Sequence, residues 1–149
     1  MSASLQATIR PSRPGDIGAI LGLLEGAGLP TADFSQADRL RLWVLEEADA
    51  LLGVIALEGF GTHALLRSPI IDPGHRKRGF GRDLVARLER DARAEGVTQL
   101  TLLTETAERF FRRLGYEVVN RREVAAQVQA SAEFRSLCPA SALCMTKSV

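Results

Sequence analysis

The chain has 149 residues, which is the size of one ordinary domain and enough to bury a core. Hydrophobic residues make up 46% and charged residues 25%, proportions that argue against a fibrous or wholly disordered protein. Nineteen Lys and Arg against eighteen Asp and Glu leave a net charge of +1, so overall charge favours neither nucleic acid nor a membrane surface as a partner.

The sequence also bears on the compartment. No apolar run approaches the roughly 20 residues needed to cross a bilayer. Residues 1–6 lack the basic and apolar regions of a secretion signal, and Cys138 and Cys144 are too few for a disulfide framework. We therefore expect a cytoplasmic protein.

In chain order, the first half predicts a strand, two helices and an antiparallel meander. Residues 7–10 form the strand, and a helix opened by Ser12 or Asp16 carries apolar residues on one face until Gly26. A second helix is predicted over residues 35–40. Three strands follow at residues 42–45, 51–57 and 64–71, with turns at residues 46–49 and 59–62.

The second half predicts alternating helices and strands. The clearest helix covers residues 82–95, with Leu84, Val85, Leu88 and Ala92 on one stripe and the pairs Arg87–Asp91 and Glu89–Arg93 on its exposed face. The remaining elements are a strand at 100–103, a helix at 106–114, a strand at 116–119, a helix at 124–130, an extended segment at 137–141 and a strand at 142–146. This order predicts a single α/β domain over residues 1–149, a mixed sheet with helices on both faces.

The segment most informative about function is Arg76-Lys77-Arg78-Gly79-Phe80-Gly81-Arg82, here called the basic glycine segment. A loop that enters a helix presents unpaired N–H groups at the positive end of the macrodipole. The glycines let a ligand approach the backbone, and the basic side chains add charge suited to a pyrophosphate and a further phosphate. The alternative is a solvated basic loop whose glycines are turn and cap residues.

The spacing excludes the P-loop, and the dinucleotide fingerprint would need a small residue where Leu84 stands. The segment instead resembles the acetyl-CoA motif of the GNAT N-acetyltransferase family, Arg/Gln-x-x-Gly-x-Gly/Ala between a strand and a helix. Residues 9–17, 66–73 and 107–116 resemble the family's opening elements, central strand and fourth helix.

The resemblance implies the GNAT fold, a mostly antiparallel sheet with splayed central strands, and acetyl-CoA as the acetyl donor. The basic glycine segment would hold its phosphates, Pro69, Ile70 and Ile71 would line its pantetheine arm, and Thr104 and Phe111 would lie beside it. Pro69 cannot donate a backbone hydrogen bond, which fits a bulge or a splayed edge better than a continuous ladder. An ordinary edge strand is the alternative. We predict that pantetheine bonds to Ile71 rather than to residue 69.

The catalytic residues are less clearly indicated. Aminolysis of a thioester needs a base or a water chain to deprotonate the amine. Many family members protonate the leaving thiolate with a Tyr, and Phe111 stands at that position; Tyr116 is interpreted as a packing residue. Glu58 is the candidate base, with an exposed strand-end carboxylate as the alternative, and His63 is interpreted as a turn residue. Arg67 either points into the cleft, where it could bind a substrate carboxylate, or points to water.

Residues 133–145, with Leu66-Arg67-Ser68 and Phe110-Phe111, resemble the acetyltransferase subgroup encoded with bacterial arsenic-resistance genes, which is similar to enzymes of the N-acetylglutamate synthase type. The resemblance implies an amino acid or an arsenical analogue as the acceptor. Thiolates bind soft centres. However, Cys138 and Cys144 fall short of the usual three thiols, and free cysteine commonly packs as an apolar residue. We therefore predict no metal site.

Together these features predict an N-acetyltransferase for a small-molecule amine, a monomer or homodimer with no nucleic-acid or membrane partner. Two alternatives remain open. A non-catalytic acyl-CoA-binding sensor or scaffold is conceivable because Phe111 replaces the usual Tyr. A basic loop that binds nucleic acid would show tight, salt-sensitive DNA binding without affinity for CoA.

Overall fold

The computed structural model describes residues 7–28, 40–131, 134–135 and 141–149. Within these residues the strands are β1 (Thr8–Pro11), β2 (Leu40–Glu47), β3 (Ala50–Phe60), β4 (His63–Ile71), β5 (Gln99–Thr104), β6 (Glu117–Val119) and β7 (Leu143–Ser148). The helices are α1 (Ile17–Gly26), α2 (Phe80–Ala94), α3 (Glu108–Arg113) and α4 (Ala126–Gln129), with 3-10 turns at Pro14–Asp16, Pro73–His75 and Arg121–Glu123. No helix in the described ranges is both long and apolar enough to cross a membrane.

The strands form one sheet in the order β1-β2-β3-β4-β5-β7-β6. β4 and β5 run parallel, whereas the other neighbouring pairs run antiparallel. α2 and α3 pack on one face of the sheet, and α1 and α4 pack on the other. The predicted mixed sheet, mostly antiparallel and covered by helices on both faces, is confirmed.

Each face of the sheet has its own apolar core. The core under α2 and α3 includes Trp43, Leu45, Ile55, Leu57, Leu66, Leu84, Val85, Leu88, Ala92 and Phe111. The opposite face holds one cluster of Ile20, Leu24, Val44, Val54 and Ala56 and another of Phe60, Leu65, Val124, Val128 and Cys144. The stripe predicted for α2 is buried at every position, because side chains three and four apart share one helix face.

A cleft opens where β4 and β5 separate. The two strands pair over only three residues each, from His63 with Gln99 to Leu65 with Thr101. Beyond Leu65, β4 stays paired with β3, and β5 stays paired with β7. The two central strands therefore splay apart, as the resemblance implied.

A β-bulge lies in the splayed part of β4. The register with β3 shifts between Val54, which pairs with Ile70, and Ala56, which pairs with Arg67. Two residues of β4, one of them Pro69, therefore stand opposite one residue of β3, and the bulge expected at this proline is confirmed. The extra residue changes the alternation, so that Ile71 faces the α2 side of the sheet.

The meander is longer and its loops are shorter than predicted. β2 and β3 extend to a two-residue loop in which Ala48 and Asp49 have φ of 52° and 67°, a conformation typical of tight hairpins but usually adopted by Gly or Asn. Leu40, expected in a helix, begins β2, and the rest of that predicted helix lies outside the described residues. The extended segment predicted at 137–141 also lies outside them, except for Ser141.

Glu89 is a second difference from the sequence prediction. It was expected to pair with Arg93 on the exposed face of α2. Instead its carboxylate is buried, where it accepts a hydrogen bond from Tyr116 Oη at 2.8 Å and contacts Lys147 Nζ at 3.1 Å. Burial and the neighbouring carboxylate raise the pKa of Tyr116. The predicted Arg87–Asp91 pair is confirmed, with 2.9 Å between Arg87 Nε and Asp91 Oδ2.

Asp16 links the start of α1 to β1 and makes stability depend on pH. Arg10 donates to both carboxylate oxygens, at 2.8 and 3.1 Å, and the Arg13 N–H donates at 2.7 Å. These bonds lower the pKa of Asp16 from 3.8 to about 2. Because the pKa is lower in the folded state, the stabilisation is present above about pH 4 and is lost as pH falls through 2.

We expect Asp16→Asn to reduce the free energy of unfolding by about 2 kcal/mol at pH 7. The difference from the unsubstituted protein should shrink as pH falls from 4 to 2, since protonation removes the same charge. Urea unfolding at pH 7, 4, 3 and 2 measures it. A difference that stays constant across this range would contradict the assignment.

Candidate active site

A groove of about 950 Å³ lies on the face covered by α2 and α3, between the splayed end of β4 and the two helices. It is lined by Pro69, Ile70, Ile71, His75, Arg76, Lys77, Gly79, Phe80, Gly81, Arg82, Leu84, Thr106, Ala107, Phe110, Phe111, Arg113 and Leu114. The structure therefore brings together all of the predicted cofactor residues except Arg78 and Thr104. The groove is apolar along β4 and at Phe110, Phe111 and Leu114, whereas its basic residues are Arg76, Lys77 and Arg82 around the start of α2 and Arg113 at the end of α3.

The start of α2 supplies backbone donors to the groove. The first N–H bonded within this turn is that of Asp83, which donates to Gly79 O at 3.1 Å. The three N–H groups before it, at residues 80–82, have no partner within the helix. Gly79 has φ of 82° and Lys77 has φ of 68°, so the loop turns in the left-handed region just before the helix. This geometry suits an anion at the positive end of α2.

The basic side chains of the segment divide into two groups. Arg76, Lys77 and Arg82 line the groove. Arg78 instead donates to both carboxylate oxygens of Glu47, at 3.2 and 3.0 Å, and its guanidinium lies 4.5 Å from the centre of the Phe80 ring. This pairing lowers the pKa of Glu47. Arg78 therefore anchors the loop to the end of β2, a role that its position in the motif did not reveal.

Thr104 also has a structural role in the described residues. Its Oγ1 accepts the N–H of Ala107 at 3.0 Å, which orders the turn before α3. Thr106 and Ala107, two and three residues later, line the groove. The place beside the cofactor that the resemblance implied for Thr104 stays a prediction.

Phe111 packs at the base of the groove. It is 2% exposed and makes edge-to-face contacts with Phe110 at 5.0 Å and Tyr116 at 5.4 Å between ring centres. Tyr116 directs its hydroxyl to Glu89, consistent with its interpretation as a packing residue. The Tyr116 hydroxyl therefore points into the core and not into the groove.

Several groove residues were missed from the sequence. His75 precedes the basic glycine segment by one residue, and its Nδ1 lies 2.9 Å from Asp72 Oδ2. Phe110 and Arg113 come from α3 and Leu114 follows it directly, where only Phe111 was predicted. Their helical spacing gave a usable signal, since residues three and four apart share the face that carries Phe110.

Glu58 and Arg67 form an ion pair on the opposite face of the sheet. Arg67 Nη1 donates to Glu58 Oε1 at 3.2 Å, and the two residues are 1% and 8% exposed, Arg67 being the more buried. Neither lines the groove. Arg67 lies two positions beyond Leu65, where pairing of β4 with β5 ends, so the pair lies at the splay itself. Of the two alternatives for Arg67, burial excludes the solvent-facing one.

Two other predicted positions are corrected. Glu58 does not end its strand, because β3 continues to Phe60. His63 is the first residue of β4 rather than a turn residue, and its Nδ1 lies 3.0 Å from Gln99 Oε1. Both corrections follow from the longer meander strands.

Of the two cysteines, the structure describes Cys144. Cys144 is buried, and burial raises the pKa of its thiol to about 11. Cys138 lies outside the described residues. Within the part of the chain that the structure describes, no three His, Cys, Asp or Glu side chains gather as metal ligands.

Comparison with known families decides the class. Residues 38–118, more than half of the chain, match the model of the acetyltransferase (GNAT) domain. The chain belongs to the GNAT family. Its splayed central strands are those that the resemblance to this family implied. A comparison with curated proteins by sequence gives no match.

Solved structures share the fold at low identity. N-acetylglutamate synthase from Neisseria gonorrhoeae, complexed with coenzyme A and N-acetyl-glutamate, is 20% identical with a TM-score of 0.81; the match covers 96% of this chain and 35% of the synthase. This chain thus spans about a third of the synthase. Rv2747 from Mycobacterium tuberculosis, solved with CoA, is 23% identical over 95% of this chain and 99% of its own, with a TM-score of 0.80. The ribosomal-protein-S18-alanine N-acetyltransferase from Escherichia coli is 18% identical over 97% and 94%, with a TM-score of 0.76.

Proposed function

We propose that this GNAT protein transfers the acetyl group of acetyl-CoA to the α-amine of a small amino acid or amino-acid analogue. The observation that carries the proposal is the buried Glu58–Arg67 pair at the splay. It lies on the sheet face opposite the groove, so donor and acceptor would enter the cleft from different sides. Each would then have its own binding surface.

The groove suits CoA along its whole length. The N–H groups at the start of α2, with Arg76, Lys77 and Arg82, would bind the phosphates. Ile70 and Ile71 form the apolar wall along which the pantetheine arm would lie, bonded to the backbone of Ile71. Solved neighbours that contain coenzyme A support this use of the fold.

The ion pair suits the two charges of a free amino acid. A guanidinium binds a carboxylate through two parallel hydrogen bonds, so Arg67 would hold the acceptor carboxylate. Glu58 would hold the acceptor ammonium and then take its proton. Two buried charges are costly to desolvate even when paired, and apolar residues of the same volume often stabilise a fold as well. An ion pair at the splay therefore favours a binding role over a purely structural one.

In this scheme Glu58 is the general base, which removes a proton from the acceptor ammonium and leaves the neutral amine. When bound, acetyl-CoA supplies the activated acetyl group: the C–N bond to the acceptor forms as the C–S bond breaks and CoA leaves as its thiol. Backbone N–H groups of the bulged β4 would polarise the acetyl carbonyl. Because Phe111 has no hydroxyl, we propose that water delivers to the departing sulfur the proton that the amine nitrogen loses as the C–N bond forms.

The resemblance of residues 133–145 to the arsenic-resistance subgroup adds arsenical amino-acid analogues to the acceptors that we propose. Their carboxylate and amine would engage the same pair. The N-acetyl-glutamate bound in the gonococcal synthase supports an amino-acid acceptor in a protein of this fold.

A panel of free amino acids, phosphonate analogues and arsenical analogues, read by release of the CoA thiol, tests the proposal. Each carboxylic acid of the panel is paired with its carboxamide, which keeps the amine but removes the charge that Arg67 would bind. We expect release with at least one free acid and at least about tenfold lower kcat/KM for its amide. Equal rates for acid and amide would contradict the role of Arg67. CoA binding without release for any acceptor would instead favour the non-catalytic sensor.

A further inference from the structure

His75 is a groove residue whose chemistry the proposed function does not yet use. It ends the 3-10 turn Pro73–His75 after β4 and lines the groove beside Arg76 and Lys77. Its Nδ1 lies 2.9 Å from Asp72 Oδ2, and Asp72 also accepts the N–H of Gly74 at 3.2 Å. The imidazole is therefore oriented by a carboxylate that is itself held by the backbone.

This contact determines what the other ring nitrogen can do. An ionised carboxylate only accepts hydrogen bonds, so Nδ1 carries the hydrogen. Nε2 of the neutral ring is then an acceptor, which repels a phosphate oxygen. Nε2 of the protonated ring is a charged donor, which attracts one. We infer that His75 binds a phosphate of the cofactor in its protonated state and makes CoA affinity depend on pH.

The charges around His75 make this switch sensitive to a bound anion. The neighbouring charged groups are Asp72 after β4, Glu47 at the end of β2, Arg76, Lys77 and Arg78 in the loop, and Arg82 on α2. A phosphate in the groove adds negative charge on the cationic side, so binding favours protonation and protonation favours binding by the same factor.

The inference rests on the proposed use of the groove for CoA, and the test separates the two. Dissociation constants for CoA and dephospho-CoA are measured by calorimetry at pH 6 and pH 8, for the natural chain and for His75→Gln. We expect His75→Gln to weaken binding by about tenfold at pH 6 and by less than about twofold at pH 8, the size of one charge-assisted hydrogen bond. Comparing the proteins at one pH cancels the titration of the 3′-phosphate itself, a monoester with a second ionisation near pH 6.

The two ligands identify the phosphate. If dephospho-CoA shows the same effect, His75 binds the pyrophosphate; if the effect disappears, it binds the 3′-phosphate. Either result supports the inference. An equal effect of His75→Gln at pH 6 and pH 8 overturns it. Failure of the natural chain to bind CoA at either pH overturns the proposed function instead.

Two further variants serve as controls. His63→Gln changes the other histidine, which lies at the far end of β4 beside Gln99, and we expect it to keep the natural pH dependence. Asp72→Asn keeps an acceptor for the Gly74 N–H but removes the carboxylate charge that lies beside the His75 ring. It should lose most of the gain in affinity at pH 6. A natural pH dependence in Asp72→Asn would contradict the proposed contact.

Discussion

Replacing Glu58 by Gln is expected to lower kcat by about 10²- to 10⁴-fold, the usual contribution of a general base. The amide oxygen can still accept the hydrogen bond that Arg67 donates at 3.2 Å. The variant therefore keeps a partner for the buried guanidinium while losing the proton acceptor. Steady-state CoA release with the best acceptor of the panel measures the effect, and thermal unfolding shows that the variant remains folded.

A matched control uses another carboxylate of the same meander. Glu46 on β2 accepts from Arg10 at 3.2 Å, outside the groove and away from the splay. Glu46→Gln should leave kcat within about twofold, because partly exposed ion pairs contribute little. A Glu58→Gln protein that turns over at the natural rate would show that water alone deprotonates the amine. The ion pair would then be structural.

Within the basic glycine segment, Arg76→Ala is expected to weaken CoA binding by about 10- to 100-fold, whereas Arg78→Ala should change it by less than about threefold. Both residues are arginines, two positions apart. Only Arg76 lines the groove, because Arg78 is bound to Glu47 and stacks on Phe80. Calorimetric titration of CoA measures both variants under one set of conditions.

The reverse order of effects would place the phosphates on the Glu47 side of the loop and refute the present site. The arginine pair is a cleaner test than a bulky residue at Gly81. A Cβ at Gly81 would lie 3.3 Å from Cζ of Phe110, so a bulky side chain would disturb the packing of α2 on α3 as well as the ligand.

The helix stripe and the motif were predictable because they depend on local spacing. Leu84, Val85 and Leu88 recur at the helical period, and their burial follows from that period alone. Pro69 likewise favoured a bulge or a splayed edge over a continuous ladder, since a proline cannot donate to the ladder. The loop between β2 and β3 was misjudged because Ala48 and Asp49 adopt left-handed conformations without the glycine that normally signals them.

The sequence by itself determined that a basic, glycine-containing loop joins an apolar strand to an amphipathic helix, and the order of elements around it determined the fold class. Only the tertiary structure decided which side chains share a site. Arg78 was separated from Arg76 by Glu47, thirty-one residues earlier in the chain, and Glu58 was brought to Arg67 by the register of two antiparallel strands. Such contacts depend on strand register and on a bulge that changes which face each residue occupies. Local sequence spacing predicts neither the register nor the position of the bulge.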